Sequence, residues 1–395
     1  MAVAFLKERS LGRIIAGHPW VYTSDILRIE KPPLDGNEIT VRNAKGGYIG
    51  NGFYHSKSRI PIRIFSRSKE KLDGAFFRKR ILEAKRFRET QSLLFASPQL
   101  PPVCRLIWSE ADFLPGLIVD RYGDALVIQT LTFAMEQRKE LIVDLLKEIF
   151  QSTVIVERND FASRQFEELP IQKSILWGEG SGKRIVYIGK ARFEIDLLEG
   201  QKTGSYLDQI GNQSMVGTLA KGKRVLDCFT YHGGFAIHAA LNGATAVEAW
   251  DISEEAIAAC RHNAILNEAP NIIWKATNVF DELNIRSKGE EKFDLIILDP
   301  PSFTKTRSKL QDALRGYKEI HLKALKLLGP NGFLATFCCS HHVDGETFRS
   351  VVLDAAFDTH KLLRLRQTFS QSWDHPIIPA IPETEYLKGF LFEVV

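Results

Sequence analysis

Apolar and polar positions along the chain repeat with different periods, and the changes divide the sequence into three zones. Residues 1–70 carry short alternating runs broken by Gly, Pro and Asn, which predict a small all-β domain. Residues 71–190 mix helical spacing, as in FFRKRILEAKRFRETQSLL and EQRKELIVDLLKEIF, with the strand patterns ALVIQTLTF and STVIVERND. In residues 191–395 strands and helices alternate. The pattern therefore predicts an N-terminal β domain, a central α+β domain and a C-terminal α/β domain with these boundaries.

The third zone carries the clearest architecture. Its predicted strands, with helical patterns between most of them, are KRVLDCF, TAVEAWDI, NIIWKA, KFDLIILDPP, GFLATFCCS, KLLRLRQTF and YLKGFLFEVV. Such alternation favours a parallel, doubly wound sheet, a Rossmann-like fold. Ligands of these sheets bind beyond the carboxyl ends of the strands. We therefore expect functional residues at Asp227 to Gly234, at Asp251, at Asp299 to Phe303 and at Cys338 to His342.

Composition and charge add little to the fold predicted from the pattern and exclude few functions. The 395 residues include 52 Lys and Arg against 48 Asp and Glu, a net charge of +4 that names no partner. Nine basic residues and three acids lie between residues 67 and 88, which indicates either a solvated helix face or a surface that faces phosphates. Five scattered cysteines make no disulfide framework, and the chain shows neither a signal peptide nor a membrane span. We expect a cytoplasmic protein without a membrane partner.

The segment VLDCFTYHGGF, residues 225–235, is the first candidate site. A Gly pair between strand and helix lets the backbone approach a ligand, but no Gly-x-Gly-x-x-Gly is present, which disfavours a dinucleotide. Asp251 ends the next strand, where an acid typically holds ribose hydroxyls. A ligand with a ribose and no pyrophosphate fits, and S-adenosylmethionine is the commonest such cofactor. The alternative is a tight turn with an unrelated acid.

The segment LDPPSF, residues 298–303, is the second candidate. Asp299 follows an apolar strand, and two prolines then fix the backbone and remove two N–H donors. A carboxyl group on such a turn could hydrogen-bond a planar heterocycle, on which Phe303 could stack. The alternative is a turn that only ends the strand.

The adjacent Cys338 and Cys339 are the third candidate. Successive side chains of a strand point to opposite faces, so at most one of the two thiols faces the site. The other alternative is that both are buried and inert, the commoner fate of cysteine. His341 and His342 follow, but adjacent ligands cannot easily surround one ion, and we expect no metal. Cys104, Cys228 and Cys260 are interpreted as packing residues.

These stretches together resemble a known family. GRIIAGHPWVYTSDI and GYIGNGFYHSKSRIPIRI look like a PUA module, which binds RNA, and EADFLPGLIVDRYGD looks like the central domain of the same family. GQKTGSYLDQ, residues 200–209, resembles a segment that folds over the cofactor, and residues 299–342 resemble the catalytic stretch. The whole chain is similar to the ribosomal RNA large subunit methyltransferase I family, whose fold is of the class I methyltransferase type.

The resemblance implies an activity and a set of site residues. The family makes 5-methylcytosine in 23S rRNA with S-adenosylmethionine, so the partner implied is ribosomal RNA; a homodimer is left open. Cys339, followed by Ser340, is implied as the nucleophile and Asp299 as the acid on the substrate side. The residues implied for cofactor binding are Thr203, Gly204, Tyr206, Asp208, Asp227, Phe229, Gly233, Asp251, Asn278 and Asp299. Asn278 departs from the family, in which Asp is usual.

Two other functions stay open from the sequence. A methyltransferase that acts on a guanine nitrogen also uses an Asp-Pro-Pro-aromatic motif and needs no cysteine. A non-catalytic RNA-binding protein could retain the fold as a scaffold. A requirement for Cys339 would distinguish 5-methylcytosine formation from methylation of a nitrogen. Binding of S-adenosylmethionine would distinguish an enzyme from a non-catalytic RNA-binding protein.

Overall fold

Alternating apolar side chains of the N-terminal residues form the first of four sheets in the computed structural model, which describes residues 2–94, 101–304 and 306–395. Six strands pair in the order β2-β6-β5-β4-β1-β3. Their bounds are β1 Val3–Leu6, β2 Trp20–Val21, β3 Ile26–Glu30, β4 Glu38–Asn43, β5 Tyr48–Tyr54 and β6 Ile62–Ser66, with the short helix α1 at Leu11–Ile15. The strands predicted between residues 38 and 66 are confirmed as β4, β5 and β6.

The second sheet has five strands in the order β11-β10-β9-β8-β7. The elements here are α2 Gly74–Leu94, β7 Val103–Trp108, β8 Leu117–Tyr122, β9 Ala125–Thr130, α3 Phe133–Glu136, α4 Lys139–Phe150, β10 Val154–Asn159 and β11 Gln172–Trp177. Two further strands, β12 Lys183–Ile188 and β13 Ala191–Asp196, form a two-stranded sheet. The helices predicted from FFRKRILEAKRFRETQSLL and EQRKELIVDLLKEIF are confirmed as α2 and α4.

The basic residues between 67 and 88 are largely occupied within the protein. Five of the nine make ion pairs with acids, and these are Arg78, Lys79, Arg80, Lys85 and Arg88. Arg88 is fully buried, and its guanidinium donates to both carboxylate oxygens of Asp112 at 2.5 and 2.8 Å. A phosphate-facing surface is therefore the wrong interpretation for Arg88, because burying its charge requires the paired carboxylate. The sequence shows the nearby acids, such as Glu70 and Glu89, but not Glu148 and Asp112, which the fold brings to Arg78 and Arg88.

The fourth sheet carries seven strands in the order β16-β15-β14-β17-β18-β20-β19. Its elements are α5 Ile210–Thr218, β14 Arg224–Cys228, α6 Gly234–Leu241, β15 Ala246–Asp251, α7 Glu254–Leu266, β16 Ile272–Ala276, α8 Val279–Arg286, β17 Phe293–Leu298, α9 Leu310–Leu327, β18 Leu328–Cys338, α10 Gly345–Asp358, β19 Leu363–Ser370 and β20 Lys388–Val394. β14 to β18 pair in parallel, as predicted. The prediction of a wholly parallel sheet is wrong for β20, which lies antiparallel between β18 and β19.

The chain divides into two units. Unit 1 comprises Met1–Val186, Ile195–Leu207 and Trp373–Glu385, and unit 2 comprises Tyr187–Glu194, Asp208–Ser372 and Tyr386–Val395. The seven-stranded sheet belongs to unit 2, with a core that includes Trp250, Phe293, Tyr317, Cys338 and Phe348. Three domains with boundaries at residues 70 and 190 stay a prediction. Among the helices of the described residues, none combines the length and the apolar character needed to cross a bilayer.

Candidate active site

The turn between β14 and α6 has an unusual backbone. Phe229, Tyr231 and Gly233 have φ angles of 66°, 51° and 86°, in the left-handed region that L-residues rarely adopt. Gly233 also lacks room for a side chain, because a Cβ there would approach the Trp274 ring to 2.9 Å. Non-glycine residues in this region are strained, and such strain persists where the surrounding structure fixes it, often at ligand sites.

Asp227, on β14, is the buried acid of this turn. Its Oδ2 accepts hydrogen bonds from the Thr230 hydroxyl at 2.5 Å and from the Ala236 N–H at 3.1 Å. Its Oδ1 is buried and has no partner among the described residues. The pKa of Asp227 is raised to about 7. Burial is the largest cause and the nearby charge of Asp251 adds to it, while the two hydrogen-bond donors act in the opposite direction. An acceptor oxygen is therefore available for a ligand that brings a donor.

Asp251, at the end of β15, connects this turn with the neighbouring strands. Its Oδ2 accepts from the Tyr231 N–H at 2.9 Å and its Oδ1 from the Ser253 N–H at 3.1 Å. The Thr277 N–H donates to the Asp251 carbonyl at 2.7 Å, which brings the end of β16 alongside. The carboxylate is half-buried, and each oxygen keeps a second lone pair for a ribose hydroxyl.

Asn278 follows β16 and caps α8. Its Oδ1 accepts from the Phe280 N–H at 3.0 Å, and the residue is exposed. A capping side chain satisfies one of the orphan donors at a helix start, which asparagine does as well as aspartate. The departure from the usual Asp therefore preserves the cap and adds an N–H₂ donor.

Asp299 and the two prolines lie where β17 ends, next to β14. The Asp299 N–H points to the Cys228 carbonyl at 3.5 Å, and the residue is half-buried. Three aromatic rings continue from the first turn to this one: Phe229 lies 6.4 Å from Phe280, and Phe280 lies 5.6 Å from Phe303. The carboxyl ends of β14 to β17 thus meet along one edge, as predicted.

The two adjacent cysteines have different surroundings. Cys338 is fully buried in the core of unit 2, whereas Cys339 is partly exposed. The Cys338 thiol donates to the Tyr317 hydroxyl at 3.4 Å. Burial raises the pKa of the Tyr317 hydroxyl, and the charges that Cys338 and Cys339 would carry raise it further. The two thiols therefore differ in burial, but Cys339 lies one residue beyond the end of β18, so the alternation expected of a regular strand stays a prediction.

Ser340 joins the catalytic candidates to three other elements. Its buried hydroxyl lies 2.8 Å from that of Ser302, in the Asp-Pro-Pro turn, and 3.2 Å from that of Tyr317, on α9. Its carbonyl accepts from the Lys388 ammonium of β20 at 2.8 Å. Sequence reasoning included Ser302 in the candidate segment LDPPSF but missed Tyr317 and Lys388, because these two residues lie 23 and 48 positions from Ser340 and only the fold brings them together.

The segment predicted to cover the cofactor is divided between the units. Thr203, Gly204 and Tyr206 belong to unit 1, and Asp208 belongs to unit 2. The buried Thr203 hydroxyl donates to Asp120 at 2.6 Å, while the Tyr206 hydroxyl donates to Gln201 at 2.5 Å. The Asp208 carboxylate accepts from the Tyr386 hydroxyl at 2.6 Å. The role of these four residues in cofactor binding stays a prediction.

Comparisons with known proteins identify the family of this chain. A model described as a PUA-like domain matches residues 5–67, and one described as an S-adenosylmethionine-dependent methyltransferase matches residues 174–372. Ribosomal RNA large subunit methyltransferase I of Tolumonas auensis is 35% identical over 394 residues, covering 98% of both chains. The chain belongs to the ribosomal RNA large subunit methyltransferase I family. The Shewanella amazonensis member is 37% identical over 98% of this chain and 97% of its own.

Solved structures show the same fold. The crystal structure of SMU.776, a methyltransferase complexed with SAH, has a TM-score of 0.85 with 20% sequence identity and covers all of both chains. A structure from Streptococcus mutans gives a TM-score of 0.83, again with 20% identity over the full length of both chains. The class I methyltransferase fold of the C-terminal part and the PUA-like N-terminal part are thus established.

The residues of unit 2 fit the cofactor of this family, S-adenosylmethionine. The unpartnered Asp227 oxygen suits the ammonium of its methionine end, since a buried acceptor requires a donor. The lone pairs on Asp251 suit ribose hydroxyls, and the glycine turn leaves space for backbone approach. When bound, the cofactor supplies an electrophilic methyl group.

Proposed function

We propose that this methyltransferase forms 5-methylcytosine in 23S ribosomal RNA, with Cys339 as nucleophile. The main support is the difference between the paired cysteines: Cys338 is enclosed in the core, and Cys339 is partly exposed beyond the end of β18. The Ser302–Ser340 hydrogen bond ties this strand end to the Asp299 turn. A methyltransferase acting on a nitrogen would need the acid but no accessible thiol.

The proposed chemistry addresses the low nucleophilicity of carbon 5. The Cys339 thiolate forms a bond to carbon 6 of cytosine, and the electrons of the 5,6 double bond move to carbon 5. Carbon 5 then takes the methyl group from the sulfonium of S-adenosylmethionine, whose sulfur–methyl bond breaks so that SAH is left. The proton of carbon 5 is then lost to a base, the Cys339 sulfur–carbon bond breaks, and the double bond and thiolate are restored. Such covalent catalysis replaces one difficult step by two easier ones.

Asp299 has a stabilising role in this proposal. Electron density increases on the cytosine ring, including nitrogen 3, as the thiolate adds. A protonated Asp299 that shares its proton with nitrogen 3 would stabilise this charge, as preorganised donors do at other active sites. The rigid Pro300–Pro301 backbone keeps the carboxyl group in place, because proline fixes its φ angle.

The RNA substrate is proposed from the family and from the N-terminal domain. The relatives are named for the large ribosomal subunit RNA, and the PUA-like match covers residues 5–67. The target cytosine must leave any base stack to reach Cys339, at a cost of a few kcal/mol. Exposed basic pairs such as Arg78–Glu148 contribute little to stability, so phosphates could compete for their cations.

A trapping experiment tests the proposal. A 23S rRNA transcript containing 5-fluorocytidine should form an adduct with the protein and S-adenosylmethionine that survives a denaturing gel, because fluorine cannot leave carbon 5 as a proton does. The Cys339→Ala variant should form none. Methylation of the ordinary transcript without an adduct on the fluorinated one would contradict the proposal and favour a nitrogen target.

Ser340 offers a smaller, graded prediction. We expect Ser340→Ala to lower kcat about tenfold, because it removes the contacts to Ser302 and Tyr317 that hold the Cys339 backbone. The affinity for SAH, measured by calorimetry, should not change. Ser308→Ala is the matched control, since this exposed hydroxyl lies 3.1 Å from that of Thr306 and has no other side-chain partner among the described residues. An unchanged kcat in Ser340→Ala would exclude the positioning role.

A further inference from the structure

Two buried glutamines lie one turn apart at the start of α5. Gln209 is the residue before the helix and is 3% exposed, and Gln213 lies within it and is 4% exposed. Residues four apart share a helix face, so the two side chains point in the same direction. Glutamine is seldom this deeply buried unless its amide is hydrogen-bonded.

Gln213 lies directly against the first residue of α6. A Cβ at Gly234 would be 2.4 Å from the Gln213 Nε2 and 2.8 Å from its Oε1, so only glycine allows this approach. The Oε1 is buried and has no hydrogen-bond partner among the described residues. A ligand that brings a donor to this site would relieve a buried, unsatisfied acceptor.

Gln209 contributes a hydrogen-bond donor, whereas Gln213 contributes an acceptor. The Gln209 Oε1 accepts from the Asn212 amide at 2.7 Å, and the same amide donates to the Ser370 carbonyl at 3.0 Å. These contacts fix the orientation of the Gln209 amide. Its buried Nε2 is left as a donor that meets no acceptor in the described part of the chain.

α5, β14 and the first turn of α6 thus contribute complementary groups. Among the described residues, the Gln213 Oε1 and the Asp227 Oδ1 are buried acceptors that meet no donor, and the Gln209 Nε2 is a buried donor that meets no acceptor. The Asp227 Oδ2 binds the Ala236 N–H of the same helix turn, which places the acid beside Gly234. Acceptors suit an ammonium group, and a donor near a helix N-terminus suits a carboxylate.

We propose that Gln209 and Gln213 bind the amino-acid end of the cofactor, with Gln213 accepting from its ammonium and Gln209 donating to its carboxylate. Gln213 lies outside the sequence motifs, whereas Gln209 is the last residue of the segment GQKTGSYLDQ. In this arrangement the protein distinguishes S-adenosylmethionine and SAH from nucleosides that lack the amino-acid end.

Calorimetry with two ligands tests this assignment. SAH carries the amino-acid end, and 5′-methylthioadenosine lacks it but keeps the adenosine and sulfur. We expect Gln213→Met to weaken SAH binding about ten- to a hundredfold, the range for a hydrogen bond to a charged group, and to leave 5′-methylthioadenosine binding unchanged. The melting temperature of the cofactor-free variant should not fall, because an apolar side chain of similar shape replaces an unsatisfied amide.

Gln129→Met is the matched control. Gln129 is also buried, at 2% exposure, and its Nε2 also lacks a partner among the described residues, but it lies on β9 in unit 1. Its SAH affinity should equal that of the unchanged protein. If the cofactor-free Gln213→Met variant has a lower melting temperature than the unchanged protein, Gln209→Met replaces it in the comparison of SAH with 5′-methylthioadenosine. Equal weakening of both ligands, or no weakening of SAH, would overturn the proposal.

Discussion

Replacing Cys339 by alanine should lower the proposed formation of 5-methylcytosine in 23S rRNA by about a thousandfold or more, since loss of the proposed nucleophile removes the covalent pathway altogether. The thiol is partly exposed, so its removal opens no cavity in the core. We therefore expect an unchanged melting temperature and unchanged SAH affinity. The measurement is methyl transfer to an rRNA transcript, with the product identified as a modified nucleoside by mass spectrometry.

Cys338→Ala is the matched control at the adjacent position. Cys338 is fully buried and contacts Tyr317, so alanine should reduce the free energy of unfolding by about 1 kcal/mol. Activity at a temperature where the variant is folded should stay within about threefold of the unchanged protein. Full activity in Cys339→Ala, or loss of activity in folded Cys338→Ala, would reject the assignment of the nucleophile.

This asymmetry shows how far the sequence can predict the site. Strand alternation predicts that at most one of the two thiols faces the site, and apolar runs locate the strand ends, because both depend on local periodicity. The choice of Cys339 came from the family resemblance. Its link to the Asp299 turn through Ser302 and Ser340 depends on the pairing of β17 with β18, which local patterns do not encode.

The antiparallel direction of β20 and the burial of Arg88 also depend on contacts with residues distant in sequence. The segment YLKGFLFEVV predicts a strand. Its place between β18 and β19, and its direction opposite to theirs, depend on pairing with strands elsewhere in the sequence. Arg88 belongs to a basic run in sequence, yet Asp112, 24 positions later, makes it an interior residue. Long-range partners, rather than local composition, determine such features. Local patterns likewise do not show that the Gln209 Nε2 and the Gln213 Oε1 are buried without a partner among the described residues.

Asp227→Asn should separate the stability of the protein from its affinity for the cofactor. The buried carboxyl has a pKa raised to about 7, and no basic side chain is among the groups that shift it. In the unfolded chain its pKa is about 3.9, so the stability that its raised pKa provides at low pH is lost as the pH rises toward 7. The neutral asparagine should therefore stabilise the cofactor-free protein, and the gain should grow by about 2 kcal/mol between pH 5 and pH 8.

The same change should weaken SAH binding about a hundredfold or more at pH 8, because the ammonium loses its buried anionic partner. Denaturant unfolding at the two pH values and calorimetry measure the two effects. Asp251→Asn serves as the comparison: its half-buried carboxylate holds the Tyr231 and Ser253 N–H groups, so we expect weaker cofactor binding with no gain in stability. A loss of stability at pH 8 in Asp227→Asn would show that the charged carboxylate stabilises the free protein. That result would contradict the view that the orphan oxygen is retained for the cofactor.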